Sequence, residues 1–518
     1  MIIERFKNTA IIRCLKTSSY NRYLFVLSIV GFIAILLSTA KYGVVISHDS
    51  VSYIAAAKSL VSGNGFICYN GSPYVNWPPL FPISLAVFSI FGAEPLDISR
   101  WLNAFIFAAL ILASGKLFKQ FIKNETIALL AAASILISIP LFQIYRTALS
   151  ESLFILLAVF FVCVISNYLA NAKTSTLLLV SSIAALCCLQ RYIGITIVIT
   201  GVILIFIGLR KMSWLIRLKH AAIFCLISLT PLFLWIIRNY TITSTFAGKR
   251  VPSEFTIGLN LAYAIDSLTS WFLTPQIPSY IRTIIAAVFL LIAATLFIMA
   301  RFQNRNLVSL GLIKSYPATV FIIIYFTALI ISSTCFAYDP IGHRLLLPVY
   351  VFIILYIFLG IELLINIIKS SAFKYKSLLH NCIIAVCTAS LLCSLTILAF
   401  KINVWIHRDA AGYGSDVWQE SCLMNTLDML PVKNCKIYSN APMEIFIYKN
   451  RYANMSPRID KDIAEFKDNM SSTEANYLVW FTNNKPYYLY QLDELAEYFQ
   501  LEKIVEVEDG AIYYLKKY

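Results

Sequence analysis

The sequence predicts an α-helical polytopic membrane protein of about eleven spans that ends in a small soluble α/β domain, and three observations predict it. Of 518 residues, 59% are hydrophobic and only 13% are charged. The apolar residues fall into runs, mostly of 15 to 23, between Leu24 and Phe400. Charge is unevenly held: residues 402–518 carry 12 Lys+Arg against 17 Asp+Glu, and the rest of the chain carries 30 against 10. One soluble core has no use for so many long apolar runs, whereas a hydrocarbon layer of about 30 Å requires them. A charge at mid-bilayer costs at least about 2.5 kcal/mol, which explains why the runs are nearly free of Asp, Glu, Lys and Arg. The basic surplus belongs to the loops between spans, which argues against a nucleic-acid partner.

Residues 1–23 read as a cytosolic segment carrying Arg5, Lys7, Arg13, Lys16 and Arg22. No small-residue cleavage pattern follows the first run, so Leu24–Ala40 is an uncleaved span. The further spans are Trp101–Gly115, Thr126–Phe142, Ser150–Ser166, Leu177–Leu189, Tyr192–Leu209, Ala221–Ile237, Ile284–Ala300, Pro317–Cys335, Leu345–Ile367 and Cys382–Phe400. Leu80–Gly92, opened by Pro78-Pro79, has the length of an interfacial or re-entrant piece. Counting it as a span would invert every later loop. With it interfacial, the inside segments hold 19 Lys+Arg in 83 residues and the outside ones 10 in 123, so the positive-inside rule favours that arrangement. The chain is then a multi-pass protein of a plasma (bacterial inner) membrane, with a cytoplasmic N-terminus. Residues 24–401 form the membrane domain with an outer loop at 41–100, and 402–518 form an extracytoplasmic domain.

That last domain alternates helical and extended patterns: helical Val417–Leu430, Asp460–Met470 and Gln491–Phe499, and strands Lys436–Ser439, Tyr477–Phe481, Ile504–Val507 and Ala511–Leu515 about the turn Glu508-Asp509-Gly510. In an oxidising compartment Cys422 and Cys435 could pair. The other cysteines lie mostly inside spans, where they act as small apolar fillers.

The membrane portion has ten acidic residues, and the favoured topology places seven on or near the outer side: Asp49, Glu94, Asp97, Glu151, Glu254, Asp266 and Asp339. Asp49 opens a helical pattern over Ser50–Ser62, where with Ser50 it reads as an N-terminal cap. Tyr53 lies one turn further on the same face. Glu151 heads a span, where its simplest reading is a carboxylate favoured by the helix dipole. For Arg146, Arg191, Arg238, Arg344, Lys41 and Lys58 it is a cation snorkelling to the headgroups. His48 and His343 would have to join Asp49 in any divalent metal site, and no ligand spacing supports one, so no cofactor is assigned and a divalent metal stays open. The loop Arg238–Arg282 is long and contains an apolar stretch, Phe255–Leu273, suited to an interfacial helix or a movable cover.

These residues also carry a resemblance. His48-Asp49-Ser50-Val51-Ser52-Tyr53, Gly63-Asn64-Gly65-Phe66 and Trp77-Pro78-Pro79-Leu80-Phe81-Pro82 together resemble the first outer loop of GT-C glycosyltransferases of the protein O-mannosyltransferase and lipid A aminoarabinose transferase type. Weaker matches follow at Glu151, Arg191-Tyr192 with Gly194, Arg238-Asn239-Tyr240, Gly248-Lys249-Arg250 with Ser253, and Arg344-Leu345 with Pro348. The resemblance implies transfer of a sugar from a polyprenyl-phosphate carrier to a lipid, glycan or protein acceptor at the outer face, with inversion. It implies Asp49 as the catalytic acid-base residue, with Glu151 nearby as an acceptor-binding or second carboxylate. Arg238 and Arg344, which end spans on the outer side, are the first candidates to hold the carrier phosphate, then Arg146 and Arg191, then Lys41 and Lys58, and Tyr53 is placed to pack on a sugar. Where the aminoarabinose branch has an acidic-basic pair before the double proline, this chain has Asn76-Trp77, which lowers the odds of an aminoarabinose donor. Two rivals are a ligase or polymerase using diphosphate-linked glycans, which calls for more outer arginines, and a transporter or lipid flippase, which calls for paired broken helices and mid-span polar residues.

Overall fold

The computed structural model describes residues 19–303, 311–337, 339–370, 375–408, 412–431, 435–470 and 475–518. The basic residues Arg5, Lys7, Arg13 and Lys16 lie outside them. The expected spans fall on helices, one of them, Thr126–Phe142, on a bent pair. Among the described residues seven helices are long and apolar enough to cross a membrane: α1 (Ser19–Ser38), α4 (Pro95–Phe121), α7 (Glu151–Asn171), α10 (Trp214–Thr243), α13 (Tyr316–Cys335), α14 (His343–Ser370) and α15 (Lys376–Arg408). An eighth segment is a pair, α5 (Glu125–Leu136) and α6 (Ile139–Tyr145), bent by 53°. The bend has a local cause. Ser138 caps α6 and Pro140 sits in its first turn, where the missing N–H costs nothing but the preceding helix cannot continue. The remaining three expected spans lie on shorter apolar helices: α8 (Thr174–Gln190), α9 (Ile195–Gly208) and the start of α12 (Ser279–Gln303).

Between the first two long helices lie α2 (His48–Val61) and α3 (Leu80–Ser89). At 10 residues and about 15 Å, α3 is too short to span. The cap of α2 is not Asp49 with Ser50, as the sequence suggested, but Ser47. The Ser47 side chain accepts from the Ser50 backbone, and the Ser50 hydroxyl accepts from the Ser47 N–H at 3.0 Å, a reciprocal box with Asp49 in the first turn that it opens. In the long loop, α11 (Ile257–Ser270) covers most of the expected apolar stretch and is tied down. Asn260 donates to Thr334 Oγ1 at 3.0 Å, Ser267 donates to the Ile341 carbonyl at 3.1 Å, and Asp266 pairs with Arg282.

The C-terminal part is a five-stranded mixed sheet of order β2-β1-β3-β5-β4, with β1 (Cys435–Ser439), β2 (Asn454–Met455) and β3 (Ala475–Phe481) parallel, and β4 (Phe499–Val507) and β5 (Gly510–Lys517) an antiparallel hairpin. Two apolar clusters cover its faces, one around Ile437, Val479 and Ile512 and one around Leu478, Trp480 and Phe499. Sequence periodicity missed β2 and the helix Pro442–Lys449 between β1 and β2. It also joined residues 417–430 into one helix. They form two short helices and a 3₁₀ turn, because Ser421 starts a new helix and Asp509 accepts from both the Ser421 hydroxyl and the Leu423 N–H. Cys422 and Cys435 carry free thiols.

The chain divides into two compact units. The first comprises Met1–Ser38, Val75–Phe81 and Arg100–Val404, and the second Thr39–Tyr74, Pro82–Ser99 and Trp405–Tyr518. In the second, the loop packs on the tail. Ile46, Val51 and Ala55 form one apolar cluster with Met443 and Phe446, and the Ile46 carbonyl accepts from the Tyr413 N–H at 3.1 Å.

Candidate active site

In the first unit, Glu151 opens an apolar helix of 21 residues and is only 1% exposed. A carboxylate so placed is tolerable only if cations meet it. Two do: Arg191 Nη1 lies 2.6 Å from Oε1, and Arg344 Nε donates to the same oxygen. Arg191 also donates to the Ser150 hydroxyl at 3.0 Å.

Local sequence explains how each arginine arrives. Arg191 stands at the break between α8 and the 3₁₀ turn Tyr192–Gly194, where the chain doubles back so closely that a Cβ on Gly194 would lie 2.3 Å from the Cys187 carbonyl oxygen. Only glycine fits there. Arg344 is the second residue of α14, so one turn of that helix fixes its approach. The ground beneath Glu151 is held as well. Gln190 donates to the Ser150 carbonyl at 2.7 Å, Tyr145 to the Ser152 carbonyl at 2.8 Å, and the Ser152 hydroxyl to Asn103 Oδ1 at 2.9 Å. Arg146, the C-cap of α6, is buried nearby in the chain. The side chains of Arg191 and Arg344 keep 17% and 33% of their surface accessible.

A second cluster in this unit gathers around Asn239, which sequence reasoning matched but gave no role. It is fully buried and donates to the Phe246 carbonyl at 3.1 Å, to Tyr192 Oη at 3.3 Å and to the Val75 carbonyl at 3.4 Å. Tyr192 donates to the Val75 carbonyl at 3.0 Å and accepts from Trp235 Nε1 at 3.3 Å. Arg238 lies over the Trp235 ring, 4.7 Å from its centroid, and donates to Asn239 Oδ1 at 3.0 Å. Arg250 donates to the Asn76 carbonyl at 3.3 Å. Gly248, at φ +76°, leaves room for Asn76: a Cβ there would fall 1.6 Å from its Oδ1. Residues 75 and 76, just before the double proline, are thus fastened to the ends of two spans and to the loop carrying Lys249 and Arg250. The signal available in the sequence was the density of hydrogen-bonding types in Arg191-Tyr192 and Arg238-Asn239; the partner, Val75, has no side-chain chemistry to announce it.

In the second unit, Asp49 lies in the first turn of α2 with His48 Nδ1 3.7 Å away. Tyr53 is buried and presents no open face, and Lys58 pairs with Glu94 at 3.0 Å. His343, in the first unit, accepts from Trp271 Nε1 at its Nδ1, at 2.9 Å. Among the described residues no three His, Cys, Asp or Glu side chains converge as a metal site.

No protein-family model matches the chain, and no curated protein matches it. Solved structures do. ArnT from Cupriavidus metallidurans in the apo state is 12% identical over 96% of this chain and 98% of its own, with a TM-score of 0.60. The same ArnT bound to undecaprenyl phosphate is 12% identical over 94% of this chain and 97% of its own, also at 0.60. The S. cerevisiae protein O-mannosyltransferase Pmt1-Pmt2 complex bound to the sugar donor is 18% identical over 44% of this chain and 34% of its own, at 0.36, a likeness too partial to bear on the fold. The chain is a multi-pass membrane protein with the GT-C fold of ArnT and a small C-terminal sheet domain.

Proposed function

We propose that this chain is a membrane glycosyltransferase that moves a sugar from a polyprenyl-phosphate carrier to an acceptor hydroxyl at the outer membrane face. The observation that carries this reading is the fold shared along nearly the whole chain with ArnT, which has been solved holding undecaprenyl phosphate. Asp49 is the general base. It sits in the first turn of α2, whose cap is Ser47, with its side chain partly accessible. As the acceptor oxygen bonds to the anomeric carbon, the bond from that carbon to the phosphate oxygen breaks on the opposite face, the configuration inverts, and the acceptor proton passes to the Asp49 carboxylate.

The leaving phosphate gains negative charge, and fixed cations stabilise it most where they need not reorganise. Arg344 and Arg191 suit that task because Glu151 holds both in place; Arg238, braced by Trp235 and Asn239, and Arg146 complete the set. Glu151 itself is too buried to meet an acceptor and acts as a positioning residue. The sugar, hexose or pentose, is left to a panel of polyprenyl-phosphate sugars tested in detergent with the intact protein and Asp49→Asn. Asp49→Asn is expected to lose roughly 10²-fold or more of the transfer rate with an unchanged thermal transition. Full activity in that variant would remove Asp49 as the base.

A further inference from the structure

The chain enters α14, the helix that brings Arg344 to Glu151, through residues held by the long loop before it. The Ser267 hydroxyl of α11 donates to the Ile341 carbonyl at 3.1 Å. Trp271, the C-cap of that helix, donates through Nε1 to His343 Nδ1 at 2.9 Å. The Trp271 ring also meets Tyr350 edge-on, two turns further along α14, with centroids 5.1 Å apart. Asp266 of α11 pairs with Arg282 of α12, whose side chain is only 5% exposed, and Tyr325 of α13 donates to the Leu345 carbonyl at 2.7 Å. His343 and Arg344 are consecutive, so whatever holds one holds the turn that carries the other.

Chemistry fixes the direction of the Trp271–His343 bond. An indole N–H can only donate, so Nδ1 presents a lone pair and the imidazole is neutral, with its proton on Nε2. A second proton would set N–H against N–H and break the bond. Imidazole ordinarily takes up that proton at about pH 6.5, and His343 is exposed, so protons reach it. The charged groups facing it are Asp266 from α11 and Arg282 from α12, already paired with each other, and Arg344 beside it in its own helix. Tyr350 is the titratable group on the far side of the Trp271 ring.

We propose that Trp271 and His343 are positioning residues: while the imidazole is neutral, their bond ties the long loop to the first turn of α14 and holds Arg344 where the donor phosphate meets it. Protonation of His343 opens the tie and loosens the grip on the phosphate. The part played by Arg344 rests on the transferase reading, whereas the tie does not. The sign of the pH response is diagnostic, because a protonated His343 acting on the phosphate directly would tighten donor binding as pH falls.

The test measures binding of undecaprenyl phosphate to the full chain in detergent from pH 8 to pH 5, for the parent, His343→Asn and Trp271→Phe. Asparagine puts an acceptor that does not titrate close to the place of Nδ1, and phenylalanine keeps a ring against Tyr350 without the N–H. A phosphate monoester itself titrates at about pH 6, a change common to all three proteins, so each profile is read against the parent's. Between pH 8 and pH 5 the parent is expected to weaken about tenfold more than His343→Asn, and at pH 8 Trp271→Phe to bind about tenfold more weakly than the parent, as the loss of one hydrogen bond warrants. Without ligand, amide exchange over residues 257–271 should be faster in the parent than in His343→Asn at pH 5 and alike at pH 8, a comparison that stands even if Trp271→Phe does not fold. Superimposable binding profiles for the parent and His343→Asn, a parent that tightens relative to that variant as pH falls, or exchange that does not differ at pH 5 overturns the proposal. Exchange as expected, with no binding of undecaprenyl phosphate at any pH, would sink the transferase reading alone.

Discussion

Because two guanidinium groups converge on the buried Glu151 carboxylate, replacing it with glutamine removes the charge that both meet. Glu151→Gln is expected to lose about 3 kcal/mol of stability, read as a lower thermal transition in detergent, and to weaken donor binding as the arginines lose their shared anchor. A variant with an unchanged transition would mean that the three side chains contribute little to the fold. Each of the three was visible in the sequence as an ionisable residue at a span end. Their pairing was not, since Arg344 stands 193 residues from Glu151 and no local pattern links residues so far apart. Asp49 was legible for the same reason that its cap was misread: Ser47, Asp49 and Ser50 are all good caps by type, and only backbone geometry chooses among them.

At the scale of elements, hydropathy located the helices well because the bilayer constrains each run independently of the others. Where it erred was the bend at Ser138-Pro140, inside the expected span Thr126–Phe142; the break between Leu189 and Tyr192, beside the Gly194 turn, was legible in it. Gly194→Ala places a methyl against the Cys187 carbonyl, a backbone atom that cannot yield cheaply, so a loss of about 1–3 kcal/mol is expected. Moving that turn also displaces Arg191, so transfer should fall further than stability does; rates compared with melting curves separate the two effects. In the tail, β2 was missed because two residues offer no alternation to read, and residues 417–430 were over-joined because the interruption comes from Asp509, far along the chain.

For the whole molecule, the expected topology places the tail outside, and a periplasmically active reporter fused after Tyr518 should be functional there; activity only in the cytoplasm would invert the arrangement. The second unit should also answer to pH through Glu444, whose burial in the helix Pro442–Lys449 pushes its carboxyl up. With its folded value about 7 against an ordinary 4.5, the folded state holds a proton that the unfolded state has released. Stability therefore falls as pH rises through that window, by an amount on the order of 3 kcal/mol. Tyr69 and Tyr413, pushed up to about 12, stay neutral throughout. Glu444→Gln should flatten this dependence and melt higher than the parent at pH 8, as thermal scans across pH 5–8 would reveal. The packing of Val51 and Ala55 on Met443 and Phe446 has a consequence for biosynthesis. At about 5–20 residues per second, the ribosome needs roughly 20–80 s to make the chain between those partners, and in the expected topology the helix bearing Asp49 waits that long on the outer side, bare, for the surface that completes it. A chaperone on the outer side would find its client in that interval.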